Sequence, residues 1–345
     1  MKDLLKYNCY FLILVALVTF SSGCSTNSSK KLKTAQGKAF GTTYTIKYEA
    51  IKSLTEIAAE MERIFDTVNI SMSTYLSDSD ISKINKGDTT VRTDIHFKTV
   101  FLKAKEVWKN SQGKFDPTVG ALVNAWGFGP ENTLNDIAQQ HIDSILHFTG
   151  FDKISLSANG SITKAHQAVY LDFNALAKGY AIDRIGHLFD EKGIENYLIE
   201  LGGEVLAKGI NTQTGKNWRI AVDSPLQQEN ERTLIARLSL TDRAIATSGN
   251  YRKFRIDPVT GLRYAHIINP KTGYPQKSNI LSVSVLAATC MEADAYATAF
   301  MVMELEEIKA LLQRLNTIEA YVIYTDKENQ AISYATRGFE NLMVN

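Results

Sequence analysis

Cysteine and proline are scarce in this chain, and neither sign of charge dominates. The 345 residues include 3 cysteines and 6 prolines, and 38 basic side chains are balanced by 37 acidic ones. So few cysteines exclude a disulfide-stapled protein, and a hydrophobic content of 44% excludes a disordered or collagen-like one. A net charge of +1 provides no broad basic face, so we expect no nucleic-acid partner.

Two common nucleotide-binding motifs are also missing. The chain contains neither a Walker A loop nor a G-x-G-x-x-G dinucleotide fingerprint. It has no repeat at the periods typical of solenoids. Its predicted helices and strands interleave without a regular βαβ period, which favours an α+β fold of mixed sheets and packed helices over a doubly wound sheet.

Hydrophobic periodicity predicts the individual elements. Apolar residues at spacings of three and four predict helices over 51–69, 78–85, 95–111, 136–148, 177–192, 291–303 and 306–315. Alternating or β-branched runs predict strands over 39–49, 153–156, 168–173, 197–201, 204–208, 218–222, 233–240 and 280–287. Hairpins are expected near 257–261 and over 320–334.

The first 23 residues predict a secretory signal. Lys2 and Lys6 precede an apolar run over 9–20, which is shorter than the roughly 20 residues that span a bilayer. Three small residues before Cys24 resemble a bacterial lipobox, in which this cysteine is lipidated. A plain secretory cleavage near the same place is the alternative. We therefore expect a lipid-anchored protein on the periplasmic side of the bacterial cell membrane, in the inner membrane.

The rest of the chain divides into a tether and one domain. Residues 24–37 lack apolar periodicity and are expected to link the lipidated Cys24 to a domain over 38–345. With Cys9 removed and Cys24 acylated, only Cys290 would remain, so no intramolecular disulfide is expected. Cys290 precedes an apolar helical stretch and is interpreted as a small buried residue.

Asp294 and Thr298 form the first candidate site. On a helix these residues are i and i+4, so a carboxylate and a hydroxyl share one face. Both are hard oxygen donors suited to Mg²⁺, which usually completes its shell with phosphate and water. The alternative is an aspartate favoured by the helix dipole and a threonine that bonds to its own helix. Spacing alone leaves both open.

Residues 171–179 predict a strand, a short turn and a helix start. Such a turn can offer carbonyls to a cation or amides to a phosphate, and Lys178 would add a positive charge. Many strand-to-helix turns carry no function, and this alternative stays open. The turn over 201–204 is interpreted as a close approach or a bulge.

Two further segments are candidates for ring and proton chemistry. The glycine-rich loops 113–120 and 126–129 carry aromatic residues that could sandwich a flat ring, although a hydrophobic anchor is the commoner use. His266 lies on a predicted strand before a Thr-Gly turn. It could be a general base or a phosphate contact, or a structural histidine.

Taken in order, these segments resemble the ApbE family, the FAD:protein FMN transferases. The resemblance covers roughly residues 38–303 with order and spacing preserved. The matching segments are Gly-Thr-Thr-Tyr at 41–44, Met-Ser-Thr-Tyr at 72–75 with Ile81 and Asn85, Phe-Asp-Pro-Thr-Val-Gly at 115–120, Trp-Gly-Phe-Gly at 126–129, Ala-Lys-Gly-Tyr at 177–180, Glu-Leu-Gly-Gly at 200–203, Ala-Thr-Ser-Gly at 246–249, His-Ile-Ile-Asn-Pro at 266–270 with Thr272 and Gly273, and the stretch 291–298.

The resemblance implies a Mg²⁺-dependent enzyme with FAD as its substrate. Such an enzyme splits FAD at the pyrophosphate, attaches FMN by a phosphoester to a threonine or serine of an acceptor protein, and releases AMP. Typical acceptors are subunits of membrane redox complexes such as the sodium-pumping NADH:quinone reductase. The implied fold is α+β and related to the tunnelling folds, and lipid anchoring on the periplasmic side is common in the family.

The family's functional residues fall on definite positions of this chain. The metal ligands fall on Asp294, Thr298 and backbone oxygen at Ala175, with Ala297 adjoining. His266 matches a histidine near the reacting phosphates and is the candidate base, with Asp172 as the second candidate. The FAD contacts fall on Phe40, Tyr75, Lys114, Phe115, Asp116, Asp172, Lys178 and Ile268.

Two departures from the family pattern affect this assignment. Phe40 replaces the methionine usual before Gly-Thr, and Asn174-Ala175 stands where many members have Gly-Gly or Ser-Gly.

Two other functions stay open. Water could replace the acceptor, which gives an FAD pyrophosphatase producing FMN and AMP. A lipid-anchored flavin carrier without turnover would need neither Asp294 nor Thr298.

Overall fold

The computed structural model describes residues 30–50, 54–131, 139–227, 232–250, 254–256, 263–276 and 278–344. The predicted signal peptide, Cys24 and the hairpin tip near 257–261 lie outside these residues. Among the described residues, no helix combines the length and the apolar character needed to cross a membrane.

A long sheet is the centre of the fold. The strands are β1 Lys31–Ala39, β2 Thr42–Ala50, β3 Ile154–Leu156, β4 Ile162–Lys164, β5 Tyr197–Leu201, β6 Glu204–Lys208, β7 Trp218–Asp223, β8 Leu234–Leu240, β9 Arg243–Gly249, β10 Phe254–Ile256, β11 Arg263–Ala265, β12 Ile280–Ala287, β13 Glu319–Thr325 and β14 Ala331–Ala335. Eight of them form one sheet in the order β1-β2-β5-β6-β9-β12-β13-β14. Its pairs from β2 to β14 are antiparallel, as are the small pairs β3–β4, β7–β8 and β10–β11.

Most of the helices cover one face of this sheet. They are α1 Leu54–Met72, α2 Asp80–Asn85, α3 Ile95–Asn110, α4 Gly120–Ala125, α5 Gln139–Phe148, α6 Asn174–Glu191, α7 Cys290–Phe300, α8 Leu305–Leu315 and α9 Arg337–Glu340. Successive side chains of a strand point to opposite faces of the sheet, so every second residue faces the helices. Ile46 and Tyr48 of β2 and Ile199 of β5 therefore belong to a buried cluster with residues of α1, α6 and α7. A second cluster, around Trp218 and Phe339, packs the β7–β8 pair and α9 together. The mixed sheet and its packed helices confirm the predicted α+β class.

The two helices of the candidate site touch backbone to backbone. A methyl group at Gly179 of α6 would lie 2.5 Å from the Cys290 carbonyl oxygen and 2.7 Å from the Met291 Cα of α7. Only glycine fits at this crossing, because neither backbone can move away without repacking a closely packed core.

Replacing Gly179 with alanine is therefore expected to lower the free energy of unfolding by about 1–3 kcal/mol, the usual result of overpacking. Urea denaturation checks this. Gly186→Ala is the matched control on α6, since its new methyl meets the Cδ2 end of the Leu206 side chain at 2.7 Å, and a side-chain end can move. Equal losses in the two variants would contradict the backbone-contact argument.

Several element boundaries differ from the sequence predictions. Strand β1 includes residues 31–37, which the composition assigns to the tether. The predicted strand over 168–173 is wrong, since Tyr170 forms only an isolated bridge with Val119. Helix α6 begins at Asn174, three residues before the predicted start. Strand β9 has no counterpart among the predictions, because its alanine, serine and glycine residues carry little β-propensity of their own.

Candidate active site

Helix α7 carries Asp294 and is held at its N-terminus by two caps. The Thr289 hydroxyl accepts the N–H of Glu292 at 3.3 Å. The Asp183 carboxylate, from α6, accepts the N–H groups of Cys290 at 2.7 Å and Met291 at 2.9 Å. These bonds satisfy donors that a helix start leaves free, and they fix α7 against α6.

Asp183 is expected to make stability depend on pH. Burial raises its pKa to about 7, although both backbone N–H groups oppose the shift. The pKa of an aspartate in an unfolded chain is about 3.9, so between about pH 4 and pH 7 the folded state binds one more proton at Asp183 than the unfolded state does. The stability that Asp183 contributes is fully present below its unfolded-state pKa and is lost as pH rises through its folded-state pKa.

We therefore expect Asp183→Asn to reduce the fall in unfolding free energy between pH 5 and pH 7.5, measured by urea denaturation. Asp172 and Asp294 shift in the same direction, so part of the fall will remain. Asp190→Asn, a change at an exposed ion pair of the same helix, is the control. A pH slope that Asp183→Asn leaves unchanged would contradict the assignment.

Asp294, Lys178 and Glu204 form a buried charge cluster. The Lys178 ammonium lies 2.8 Å from Glu204 Oε1 and 3.6 Å from Asp294 Oδ2. The side chains of Glu204 and Asp294 are 9% and 6% exposed, respectively. Burial alone would lower the pKa of Lys178, but the charges of Asp294 and Glu204 outweigh it and raise that pKa. Lys178 is therefore protonated.

One ammonium does not neutralise two buried carboxylates. Burial raises the pKa of Asp294 well above its ordinary value; Lys178 opposes the shift and the charge of Glu204 adds to it. Among the described residues, Asp294 Oδ2 and Glu204 Oε2 are buried without a hydrogen-bond partner. The 3.6 Å contact of Asp294 with Lys178 is an ion pair too long for a good hydrogen bond. The cluster therefore has an unpaired acceptor oxygen on each carboxylate.

Two further oxygen donors lie on the helices that carry Lys178 and Asp294. The backbone N–H of Gly179 faces the Asp294 carboxylate and favours its charged form. The carbonyl of Ala175 lies one helical turn before Gly179 on α6. Thr298 lies one turn along α7, and its hydroxyl is 3.4 Å from that of Ser248 on β9.

These donors fit a hard divalent cation. A carboxylate with a free oxygen, a hydroxyl and a backbone carbonyl are the ligands that Mg²⁺ takes, with phosphate and water completing its shell. Over the described part of the chain, no three His, Cys, Asp or Glu side chains converge on a metal-sized site. Ala297 is fully buried, and its side chain offers no donor.

Asp172 is held at the turn before α6. Its two carboxylate oxygens accept the backbone N–H of Asn174 at 2.7 Å and its side-chain amide at 3.0 Å. Burial raises the pKa of Asp172 to about 6, against both hydrogen bonds. The side-chain amide of Asn85 on α2 bonds both backbone groups of Leu171, which fixes the approach to this turn. Burial raises the pKa of the Tyr75 hydroxyl, and the nearby charge of Asp172 adds to the shift. The residue as a whole is 60% exposed.

The segment 113–129, which includes α4, connects Asp172 to His266. The Pro117 carbonyl accepts the N–H of Asp172 at 2.7 Å. Farther along the segment, the Phe128 ring lies edge-on to His266 at 6.4 Å between ring centroids. The Trp126 indole donates to the carbonyl of residue 273 at 2.7 Å, which ties the segment to the turn after His266. Both candidate bases therefore border the same segment.

Asp116, a predicted FAD contact, is a structural residue of this segment. Its carboxylate accepts from donors on its own segment and on two neighbouring elements: the Trp108 indole, the N–H and hydroxyl of Thr118, and the N–H of Phe151. Burial raises the pKa of Asp116, against all of these hydrogen bonds. Asp116 therefore holds the segment in shape, whether or not it also touches a ligand.

The two residues before Asp116 have partners of their own. Phe115 is buried at 4% exposure in the main core cluster. The Lys114 ammonium pairs with the Glu307 carboxylate of α8 at 3.2 Å, and both side chains are partly exposed. Lys114 is therefore the more accessible of the two predicted contacts.

The two remaining predicted contacts lie on separate elements. Phe40 has a left-handed backbone (φ 50°) in the β1–β2 turn, and its ring packs edge-on against Phe65 at 5.6 Å. Ile268 is buried beside Leu122 and bridges to Pro275.

Of the predicted site residues, Lys178 and Asp294 are in direct contact where α6 crosses α7. Ala175 lies one turn before Gly179 on α6, and Thr298 lies one turn after Asp294 on α7. Ala297 lies next to Thr298 on α7. The other predicted residues lie on separate elements: the turn before α6, the segment 113–129, the turn after α1 that carries Tyr75, the β1–β2 turn and the stretch 266–268.

No sequence motif indicates a function for Glu204 or Asp183. The Gly202-Gly203 pair before Glu204 is a usable signal, because both glycines have positive φ (65° and 107°) and form a two-residue turn with Leu201 opposite Glu204. That register shows a tight hairpin rather than a bulge. Asp183 has no local signal, since its partners on α7 are more than a hundred residues away.

A cleft of about 540 Å³ lies away from the charge cluster. Its lining includes Lys47, Leu198, Lys216, Trp218 and Arg219. Leu198 and Trp218 belong to the cluster around the β7–β8 pair, whereas α7 packs in the main core cluster. This cleft is therefore separate from the candidate site.

The antiparallel sheet, its covering helices and the buried charge cluster define an α+β protein with a candidate cation site where α6 crosses α7. The sequence profile of the ApbE family matches residues 40–322. The chain belongs to the ApbE family, and the predicted resemblance is confirmed.

Named relatives and solved structures agree with this assignment. The FAD:protein FMN transferase of Haemophilus influenzae is 33% identical over 347 residues, which cover 96% of each chain. The structure of the flavin transferase ApbE from Vibrio cholerae superposes with a TM-score of 0.82 at 33% identity, covering 91% of this chain and 99% of that one. The apo form of the Pseudomonas stutzeri flavinyl transferase ApbE gives a TM-score of 0.79 at 28% identity, covering 91% and 97%.

Proposed function

We propose that this chain is a Mg²⁺-dependent FAD:protein FMN transferase. It cleaves the pyrophosphate of FAD, attaches FMN to a threonine or serine hydroxyl of an acceptor protein, and releases AMP. The observation that carries the proposal is the charge cluster, in which a buried Asp294 oxygen without a hydrogen-bond partner among the described residues lies beside Lys178 in a chain of this family.

Asp294, Thr298 and the Ala175 carbonyl are the proposed metal ligands, with Ala297 adjoining. When bound, Mg²⁺ would neutralise charge on the pyrophosphate, the main requirement of phosphoryl-type transfer. Lys178 adds a second positive charge at the same place, since its carboxylate neighbours raise its pKa and keep it protonated.

His266 is the proposed general base, and Asp172 is the second candidate. The acceptor oxygen forms a bond to the FMN phosphorus while the bond from that phosphorus to the bridging oxygen breaks. AMP leaves with the bridging oxygen, and the proton of the acceptor hydroxyl passes to the base. The position of both candidates beside the segment 113–129 supports this role.

The same segment and its neighbours are proposed to bind FAD. Tyr75 offers an exposed ring, and Phe40 offers a partly buried ring in the β1–β2 turn. The proposed set is completed by Lys114, Phe115, Asp116 and Ile268, together with Asp172 and Lys178.

Location and partners form the last part of the proposal. We propose that Cys24 is lipidated, that the enzyme lies on the periplasmic side of the inner membrane, and that its acceptors are subunits of membrane redox complexes such as the sodium-pumping NADH:quinone reductase. Mass spectrometry of membrane fractions tests the anchor, and an unmodified Cys24 there would contradict it.

Incubation with FAD, Mg²⁺ and a candidate acceptor subunit tests the reaction. We expect a covalently fluorescent acceptor band and one AMP for each FMN attached. Free FMN and AMP formed equally well without acceptor would instead indicate a pyrophosphatase. FAD binding that never yields AMP would indicate a flavin carrier.

A further inference from the structure

Glu204 is fixed at the start of β6 by the turn that precedes it. The two-glycine turn sets it opposite Leu201, on a strand that contacts both α6 and α7. Its carboxylate is nearly buried and accepts the Lys178 ammonium at 2.8 Å. Neither the proposed reaction nor the family resemblance assigns this residue a role.

The Lys178 ammonium lies closer to the Glu204 carboxylate than to the Asp294 carboxylate. The 2.8 Å contact with Glu204 is a charge-assisted hydrogen bond, whereas the 3.6 Å contact with Asp294 exceeds hydrogen-bonding distance. Lys178 is thereby drawn toward β6. As a consequence, Asp294 Oδ2 keeps no hydrogen-bond partner among the described residues.

We propose that Glu204 is a positioning residue that keeps Asp294 available to a divalent cation. It does so by holding the Lys178 ammonium on its own Oε1. Without Glu204, the ammonium has Asp294 as its remaining carboxylate partner in the cluster and would pair with it directly. A cation would then have to displace that ion pair. The inference rests on the proposed metal site.

Calorimetric titration of the full-length protein with Mn²⁺, with and without ADP, tests this inference. ADP supplies a diphosphate but has no FMN to transfer. We expect Glu204→Gln to weaken Mn²⁺ binding by about tenfold or more, because a charge-assisted ion pair must be broken first. Glu200→Gln is the matched control: it makes the same charge change in the same hairpin, where Glu200 accepts the Gly203 N–H.

A double-mutant cycle separates positioning from the direct effect of the Glu204 charge. In a Lys178→Met background, Glu204→Gln should change Mn²⁺ affinity by less than about twofold, because no ammonium remains to be positioned. An equal loss with and without Lys178 would overturn the positioning role. If a variant of the cycle fails to fold by circular dichroism, Glu204→Asp provides the test, since its shorter side chain should also weaken binding, and wild-type affinity would overturn the inference.

Asp294→Asn distinguishes failure of this inference from failure of the metal site. Wild-type protein that binds no Mn²⁺ in either condition, or an Asp294→Asn variant that binds like wild type, would overturn both. Binding that depends on Asp294 but not on Glu204 would overturn the positioning role alone.

Discussion

Replacing Asp294 with alanine is expected to lower FMN transfer by about 10³-fold or more and to remove its dependence on Mg²⁺. The side chain supplies the charged ligand of the proposed site, and its Oδ2 has no hydrogen-bond partner within the described part of the chain. Lys178 keeps Glu204 as a partner at 2.8 Å, so the fold should survive the change. The measurement is the rate of acceptor labelling over a range of Mg²⁺ concentrations.

Glu292→Gln is the control for this experiment. Glu292 is an acid on the same helix, but it pairs with Lys103 at 3.2 Å and not with the cluster. Its replacement should leave the rate and the Mg²⁺ dependence nearly unchanged. Normal labelling by Asp294→Ala at ordinary Mg²⁺ concentrations would show that the metal assignment is wrong.

Replacing His266 with alanine is expected to reduce kcat by about 10²–10⁴-fold, the usual contribution of a general base. A base must be deprotonated to act, so wild-type activity should rise with pH through the pKa of the base. The variant should lose that rise, and added imidazole should restore part of the rate. A purely structural histidine would show neither effect.

Asp172→Asn is the competing test. Burial raises the pKa of Asp172 to about 6, so a base at this position would also give a rise in activity near pH 6. If Asp172→Asn removes the rise and His266→Ala keeps it, the base is Asp172. The two variants are compared in the same labelling assay across pH 5–8.

Regular periodic segments are predictable from sequence because their partners lie nearby in the chain. The i, i+4 spacing of Asp294 and Thr298 places both on one helix, which α7 confirms. Strands β5, β6 and β12 have the predicted bounds, since their alternating or β-branched residues match a buried sheet. Strand β9 escapes prediction because pairing with β6 and β12, rather than its own residues, makes it a strand.

The charge cluster depends on contacts between distant segments. Lys178, Glu204 and Asp294 come from α6, β6 and α7, and no local pattern indicates that they share one ammonium. Asp116 is a second residue whose contacts the sequence does not indicate. Its motif indicates a ligand contact, whereas its carboxylate is occupied by donors from its own segment, from the Trp108 indole and from a backbone N–H beyond α5.

The amino-acid sequence by itself determined the α+β class, the family and the residue types available for chemistry, because periodicity and motif order are local properties of the chain. Only the tertiary structure decided which carboxylate accepts a hydrogen bond from Lys178 and which lies beyond hydrogen-bonding distance of it. That division is set by the close approach of α6 to α7 at Gly179 and by the tight turn before Glu204. Because charges removed from water interact far more strongly, a small difference in distance between buried charges changes their interaction energy substantially.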